Sequence, residues 1–177
     1  MQPSSTSRFL ALRVAALFVG ILVALFVLEL TPLAQRLLVE PWTAGVAKAS
    51  AFLVRLFDPA VLASGSMLAN TKTGFSVTIL AGCTGIEAMI VLIAAMLAFP
   101  APWKHRALGI AAGIVLIQAL NLLRVISLFF LGQFDRDLFN WAHLYAWQAL
   151  IMLDALVVWI LWLKTLPART KARPSPA

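Results

Sequence analysis

Apolar and polar positions along the chain follow two periods, and the places where one gives way to the other separate the elements. Residues 9–30 are apolar apart from Arg13, whose long stem can snorkel, and Glu29 at the far end. That run is long enough to cross a hydrocarbon core of about 30 Å as a helix. It exceeds the apolar stretch of a signal peptide and no small-x-small cleavage site follows, so an uncleaved first span is expected. Residues 33–57 have another character. Leu38, Trp42, Val46, Ala49, Leu53 and Leu56 recur at spacings of four or three, while Arg36, Glu40, Lys48 and Arg55 fall mostly elsewhere. This is the pattern of one or two amphipathic helices lying on a membrane surface. Arg36 and Glu40 stand as an i, i+4 pair, Pro41 marks a break or the first turn of a second helix, and Asp58-Pro59 ends the pattern.

Turn formers then dominate. Asn70-Thr71-Lys72-Thr73-Gly74 separates Ser66-Met67-Leu68-Ala69 from the alternating run Phe75, Ser76, Val77, Thr78, Ile79, which predicts a small hairpin with a half-buried strand. Apolar helical runs resume at 84–101, ended by Pro100 and Pro102, and at 107–131, after the basic turn Trp103-Lys104-His105-Arg106. A last run covers 144–163, after a polar connection over 132–143 in which Asp135 and Asp137 read as solvated. The expected architecture is one domain over 1–177: an all-α integral membrane protein with about four transmembrane helices. An extracytoplasmic amphipathic segment lies within 31–83, the hairpin precedes the second span, and the basic tail 165–177 is expected to be disordered.

Composition agrees. Hydrophobic residues make up 62% of the 177, against about 45–50% in a soluble domain. The net charge of +7 is not a nucleic-acid footprint, because its cations gather at span ends. Arg8 and Arg13, then Lys104 and Arg106, then Lys164, Arg169, Lys171 and Arg173 fall on one side of four spans, which the positive-inside rule makes the cytoplasm. Trp42, Trp141 and Trp147 then sit near outer ends and Trp103, Trp159 and Trp162 near inner ends, as interfacial belts require.

Candidate chemistry centres on the only cysteine. A single Cys excludes an internal disulfide and a Cys-rich metal site, and two histidines leave little for zinc, so no metal or cofactor is expected. Cys83 lies between Gly82 and Gly85 where the alternating run meets an apolar helix. Thr84 and Glu87 form a capping-box pair that would start the helix beside the thiol and expose the sulfur to the positive end of the dipole. Arg124 is roughly 10 Å below the outer end of its span, and a buried intramembrane arginine marks a functional site unless an ion pair, here with Glu87, explains it. His143 begins the last span on the same face and suits a general acid and base, whereas His105 belongs to the cytoplasmic turn. Gln118, Asn121 and Arg124 are spaced by three and form one polar stripe. Asp154, about 16 Å deeper than His143 on its helix face, is expected to meet Gln118 as packing glue.

The run Ala81-Gly82-Cys83-Thr84-Gly85, the later Asn121-Leu122-Leu123-Arg124 and the following His143 resemble the Cys, Arg and His signature of the exosortase and archaeosortase family. The resemblance covers about 75–163, and the compact length with Phe139-Asn140-Trp141-Ala142-His143 looks most like the exosortase H branch. It implies a membrane cysteine peptidase and transpeptidase of the bacterial inner membrane, active on the extracytoplasmic side with a cytoplasmic C-terminus. Its substrates would be secreted proteins whose C-terminal sorting signal joins a short motif, one transmembrane helix and a basic end. For the H branch the implied motif is Ile-Pro-Thr-Leu followed by Trp-Gly, and a lipid or glycan is an implied acceptor. The implied roles are nucleophile for Cys83, oxyanion or substrate stabiliser for Arg124 and acid and base for His143, with Glu87, Asn121 and Thr84 in support. Two other readings fit the same residues: a membrane scaffold or transporter subunit in which Arg124, Glu87 and Asp154 satisfy one another, and a thiol acyltransferase acting on lipid.

Overall fold

A computed structural model of the chain describes residues 5–166. Most of the serine-rich start and the tail from 167 onward lie outside the described residues, while Thr165 closes the last helix. Helix α1 (Ser5–Glu29) is apolar on every side and packs mainly on one neighbour. Thr31 caps the next turn by accepting from the Ala34 N–H at 3.3 Å, with Pro32 placed where a missing N–H costs nothing.

The amphipathic stretch is one continuous path of α2 (Pro32–Ala34), a π-helical turn at Gln35–Val39 and α3 (Glu40–Val54). Pro41 does not break it. A proline inside a helix clashes with the carbonyl one turn back, and the wider π turn in front of it relieves that clash. The expected apolar ridge is largely displaced. Val39, Thr43, Val46, Ala47, Ser50, Ala51 and Val54 are buried, whereas Leu38, Trp42 and Leu56 are 58, 37 and 68% exposed. In a membrane protein large apolar side chains are at ease facing outward, and small ones are selected where backbones approach.

The hairpin is present as β2 (Met67–Asn70) and β3 (Ser76–Thr78), with a further strand, β1 (Val61–Ser64), completing an antiparallel sheet in the order β1-β2-β3. Val61, Leu68 and Ile79 turn inward and pack with Val46, Ala47, Val54, Val125 and Phe129 into one apolar core. Asn70, buried at the end of β2, donates through Nδ2 to Asp58 at 2.8 Å and to Gln133 at 2.9 Å, and its Oδ1 accepts from Lys72 N at 2.9 Å.

Helix α4 (Ile86–Ala98) is the hub, packed by α1, α5 (Trp103–Phe134) and α7 (Trp147–Thr165) around a second core that includes Leu92, Met96, Ile117 and Val158. The predicted polar connection 132–143 is helical almost throughout. Helix α5 continues to Phe134, Asp135 caps α6 (Arg136–Trp141) by accepting from Asp137 N and Leu138 N, and a π turn at Ala142–Ala146 leads into α7. Among the described residues four helical paths are long and apolar enough to cross a membrane: Ala11–Glu29, Pro32–Val54, Trp103–Phe134 and Arg136–Thr165. The chain is therefore an all-α multi-pass membrane protein with one small sheet. The run expected as a second span, 84–101, contracts to the 13 residues of α4.

Because Asn70 joins the α3–β1 turn, the β2–β3 turn and the end of α5, Asn70→Ala leaves several buried partners unpaired. It is expected to cost about 2–3 kcal/mol, read as a lowered unfolding midpoint of the detergent-solubilised protein.

Candidate active site

The strand β3 leads through Leu80, whose backbone is still extended, into a 3-10 turn at Ala81–Cys83. Two backbone features then set the loop. The Cys83 N–H bonds the Leu80 carbonyl at 2.9 Å, and Gly85 adopts φ 76°, a left-handed conformation that favours glycine. Space demands glycine too, since a Cβ at Gly85 would lie 2.9 Å from Gln118 Nε2 and 3.5 Å from Asn121 Cβ. The capping box does not form: Gly85 is the N-cap of α4, and no side chain caps the helix. The Thr84 hydroxyl instead donates to the Ala81 carbonyl at 2.7 Å, so it stabilises the turn before the helix.

The polar stripe of α5 faces this loop. Gln118 donates to the Thr84 carbonyl at 3.0 Å, and Arg124, only 2% exposed, directs Nη2 at Cys83 Sγ across 3.7 Å. Asn121 is fully buried between them, and both its amide atoms, like Arg124 Nε, have no hydrogen-bond partner. Cys83 itself is partly exposed. A guanidinium N–H aimed at the sulfur fits an atom that carries negative charge during a reaction.

The other candidates are placed differently. Among the described residues Arg124 makes no ion pair with Glu87; the one salt bridge present joins Lys72 to Asp58 at 3.9 Å. Glu87 instead turns toward Gly82, where an added Cβ would be 3.8 Å from its carboxylate. Asp154 does not meet Gln118, which is committed to the loop, and its Oδ2 is unpartnered. His105, expected in solvent, bonds Thr165 Oγ1 at 3.0 Å. His143 is half-buried on the π turn Ala142–Ala146, stacked on Phe139 with centroids 5.7 Å apart and planes 7° from parallel. Among the described residues it has no hydrogen bond to Cys83 or Arg124. Thus Cys83, Thr84, Asn121 and Arg124 converge and Glu87 flanks them, whereas no hydrogen bond joins His143 to them. Gln118 is the loop-holding residue that spacing alone assigned to another partner; its place on the stripe was the available signal.

A groove of about 1730 Å³ begins at this loop. Helix α4 is its floor, and α1 and α7 are its walls. Gly82, Gly85, Glu87 and Gln148 line one end, Pro100, Pro102 and Arg106 the other, and the lining between is apolar. Fold and site together define a polytopic helical membrane protein in which a cysteine loop, held by a buried arginine, opens onto an apolar channel. The transmembrane exosortase family profile matches residues 7–163, and the chain belongs to that family of membrane-embedded sorting transpeptidases. No curated protein and no solved structure gave a match.

Replacing Arg124 by Ala removes a charge-assisted contact worth about 1.5–3 kcal/mol. Alkylation of Cys83 by a membrane-impermeant maleimide is expected to slow about tenfold or more, with Arg124→Lys intermediate because it lacks the planar fork.

Proposed function

We propose that the protein is a cysteine peptidase and transpeptidase, most similar to the exosortase H branch, that cleaves C-terminal sorting signals of secreted proteins. The observation that carries this reading is the 3.7 Å approach of Arg124 Nη2 to Cys83 Sγ, in a loop whose glycines Gly82 and Gly85 line the apolar groove. The site faces outward from the bacterial inner membrane, and the C-terminus is cytoplasmic.

Cys83 Sγ attacks the carbonyl carbon of the scissile peptide and its proton passes to His143. Arg124 stabilises the oxyanion of the tetrahedral intermediate through its guanidinium N–H groups. As the C–N bond breaks, His143 returns the proton to the departing amine, leaving a thioester on Cys83. An amine, alcohol or water then attacks the thioester carbonyl and His143 takes its proton; as the C–S bond breaks His143 returns that proton to the Cys83 thiolate, and the acyl group leaves as amide, ester or acid. Catalytic hydrogen bonds commonly tighten only when substrate binds. His143 stands on the π turn Ala142–Ala146, a helix irregularity of a kind frequent at functional sites.

Supporting this reading, the groove runs along α4 for about 20 Å and suits one apolar helix, the element that follows the motif in a sorting signal. Glu87, Asn121 and Thr84 act on the loop rather than on bonds. A scaffold in which Arg124, Glu87 and Asp154 neutralise one another is disfavoured, since among the described residues they form no ion pair.

The test is co-expression with a secreted protein ending in an Ile-Pro-Thr-Leu motif, an apolar helix and a basic end, followed by mass measurement of the new C-terminus. Cys83→Ala is expected to abolish cleavage and Cys83→Ser to leave at most a trace; normal cleavage by Cys83→Ala rejects the reading. His143→Ala is expected to lower kcat by about 100- to 10,000-fold.

Ala95→Phe, which narrows the groove midway, is expected to impair cleavage of the same substrate while Cys83 alkylation stays at the parental rate. Parental cleavage by this variant would remove the groove from the scheme.

A further inference from the structure

The sheet ends on the strand that carries the nucleophile. In the β2–β3 ladder Leu68 is paired with Val77, and the flanking bonds run from Asn70 N to the Phe75 carbonyl at 2.8 Å and from Ile79 N to the Ser66 carbonyl at 2.9 Å. Because hydrogen-bonding direction alternates along an antiparallel strand, the main-chain groups of Phe75, Val77 and Ile79 point at β2. Those of Ser76 and Thr78 point the opposite way. Among the described residues no strand pairs with that second edge, and Ser76 and Thr78 are exposed.

An open edge is ordinarily blunted by charge, proline or a bulge. Here Ser76 and Thr78 are small and uncharged. The extended backbone continues through Leu80, 65% exposed, to the carbonyl that accepts the Cys83 N–H. The edge therefore leads into the Cys83 loop, and the apolar groove begins beside the same loop at Gly82, Gly85 and Glu87.

We infer that β3 is a docking edge for an extended peptide: the acyl-side segment of the substrate adds to the sheet as a fourth strand, using the outward N–H and C=O groups of Ser76 and Thr78. This rests on the peptidase reading above and specifies how that site holds its substrate. Strand addition fixes a peptide through its main chain and leaves alternate side chains for selection. It brings the carbonyl at the end of the added strand beside Cys83, with the leaving-group side directed into the groove. The segment recognised is extended and uncharged where it lies against Ser76 and Thr78.

Proline separates this from the alternatives, because at Thr78 it deletes only an N–H that makes no bond within the sheet. In the full-length membrane protein co-expressed with the tailed substrate, Thr78→Pro is expected to reduce cleavage about ten- to hundredfold, the loss of main-chain bonding to the substrate. Thr78→Val, which keeps the main chain, is expected to cleave at close to the parental rate. Cys83 alkylation by the small maleimide is expected to be unchanged in both. A second measurement does not require the proline to be tolerated: p-benzoylphenylalanine in place of Ser76 is expected to photo-crosslink to the substrate within a few residues before the cleavage point. Parental cleavage by Thr78→Pro, loss of cleavage in Thr78→Val equal to that in Thr78→Pro, or crosslinks only to lipid or to a second copy of the chain would each overturn the strand-addition proposal. The peptidase reading stands or falls separately on Cys83→Ala.

Discussion

A guanidinium group enclosed among apolar helices must be given something to hold, and the loop from Gly82 to Gly85 is shaped around that requirement. Arg124 lies where the core beneath the sheet, with Val125 and Phe129, adjoins the core around α4, with Ile117 and Leu92. Burying such a charge costs several kcal/mol unless nearby groups share it. Among the described residues the sulfur of Cys83 is the one hydrogen-bond partner of that side chain. The loop approaches closely only because Gly85 has no side chain and Gln118 fixes the Thr84 carbonyl. Removing the arginine would thus take from the Cys83 loop one of the contacts that fix it.

Much of this was legible in the chain. A lone cysteine between glycines, an arginine inside an apolar run and a polar stripe at helical spacing all depend on residue type and order, and the fold keeps Cys83 and Arg124 together. What failed depended on backbone detail. Thr84 and Glu87 have the right letters for a capping box, but the left-handed turn at Gly85 moves the helix start beyond the threonine. The Gln118 amide pointed to a loop carbonyl instead of a carboxylate because main-chain acceptors carry no sequence signal. Both π turns were invisible for the same reason, and with them the local setting of His143.

The amphipathic stretch failed for another reason. Apolar periodicity separates water from everything else, yet here the choice is between lipid and protein. Ala47, Ser50 and Ala51 pack inward because they are small, while Leu38 and Trp42 remain outside. Side-chain volume, not hydropathy, carries the signal in such a helix. The sheet that this helix supports and the groove beside α4 meet at the same loop, so two unlike surfaces, one of main-chain polar groups and one of hydrocarbon, border the one turn that carries Cys83.

The shortness of α4 has a chemical corollary. Thirteen residues span about 20 Å, some 10 Å less than a typical bilayer interior. Wherever that helix is centred, at least one of its termini is drawn beneath the headgroup level, into a stratum where water activity falls steeply. Were that the end beside Cys83, the thioester of the proposed mechanism would meet fewer hydrolytic collisions, and its lifetime would favour capture by an amphiphilic nucleophile already dissolved in the leaflet.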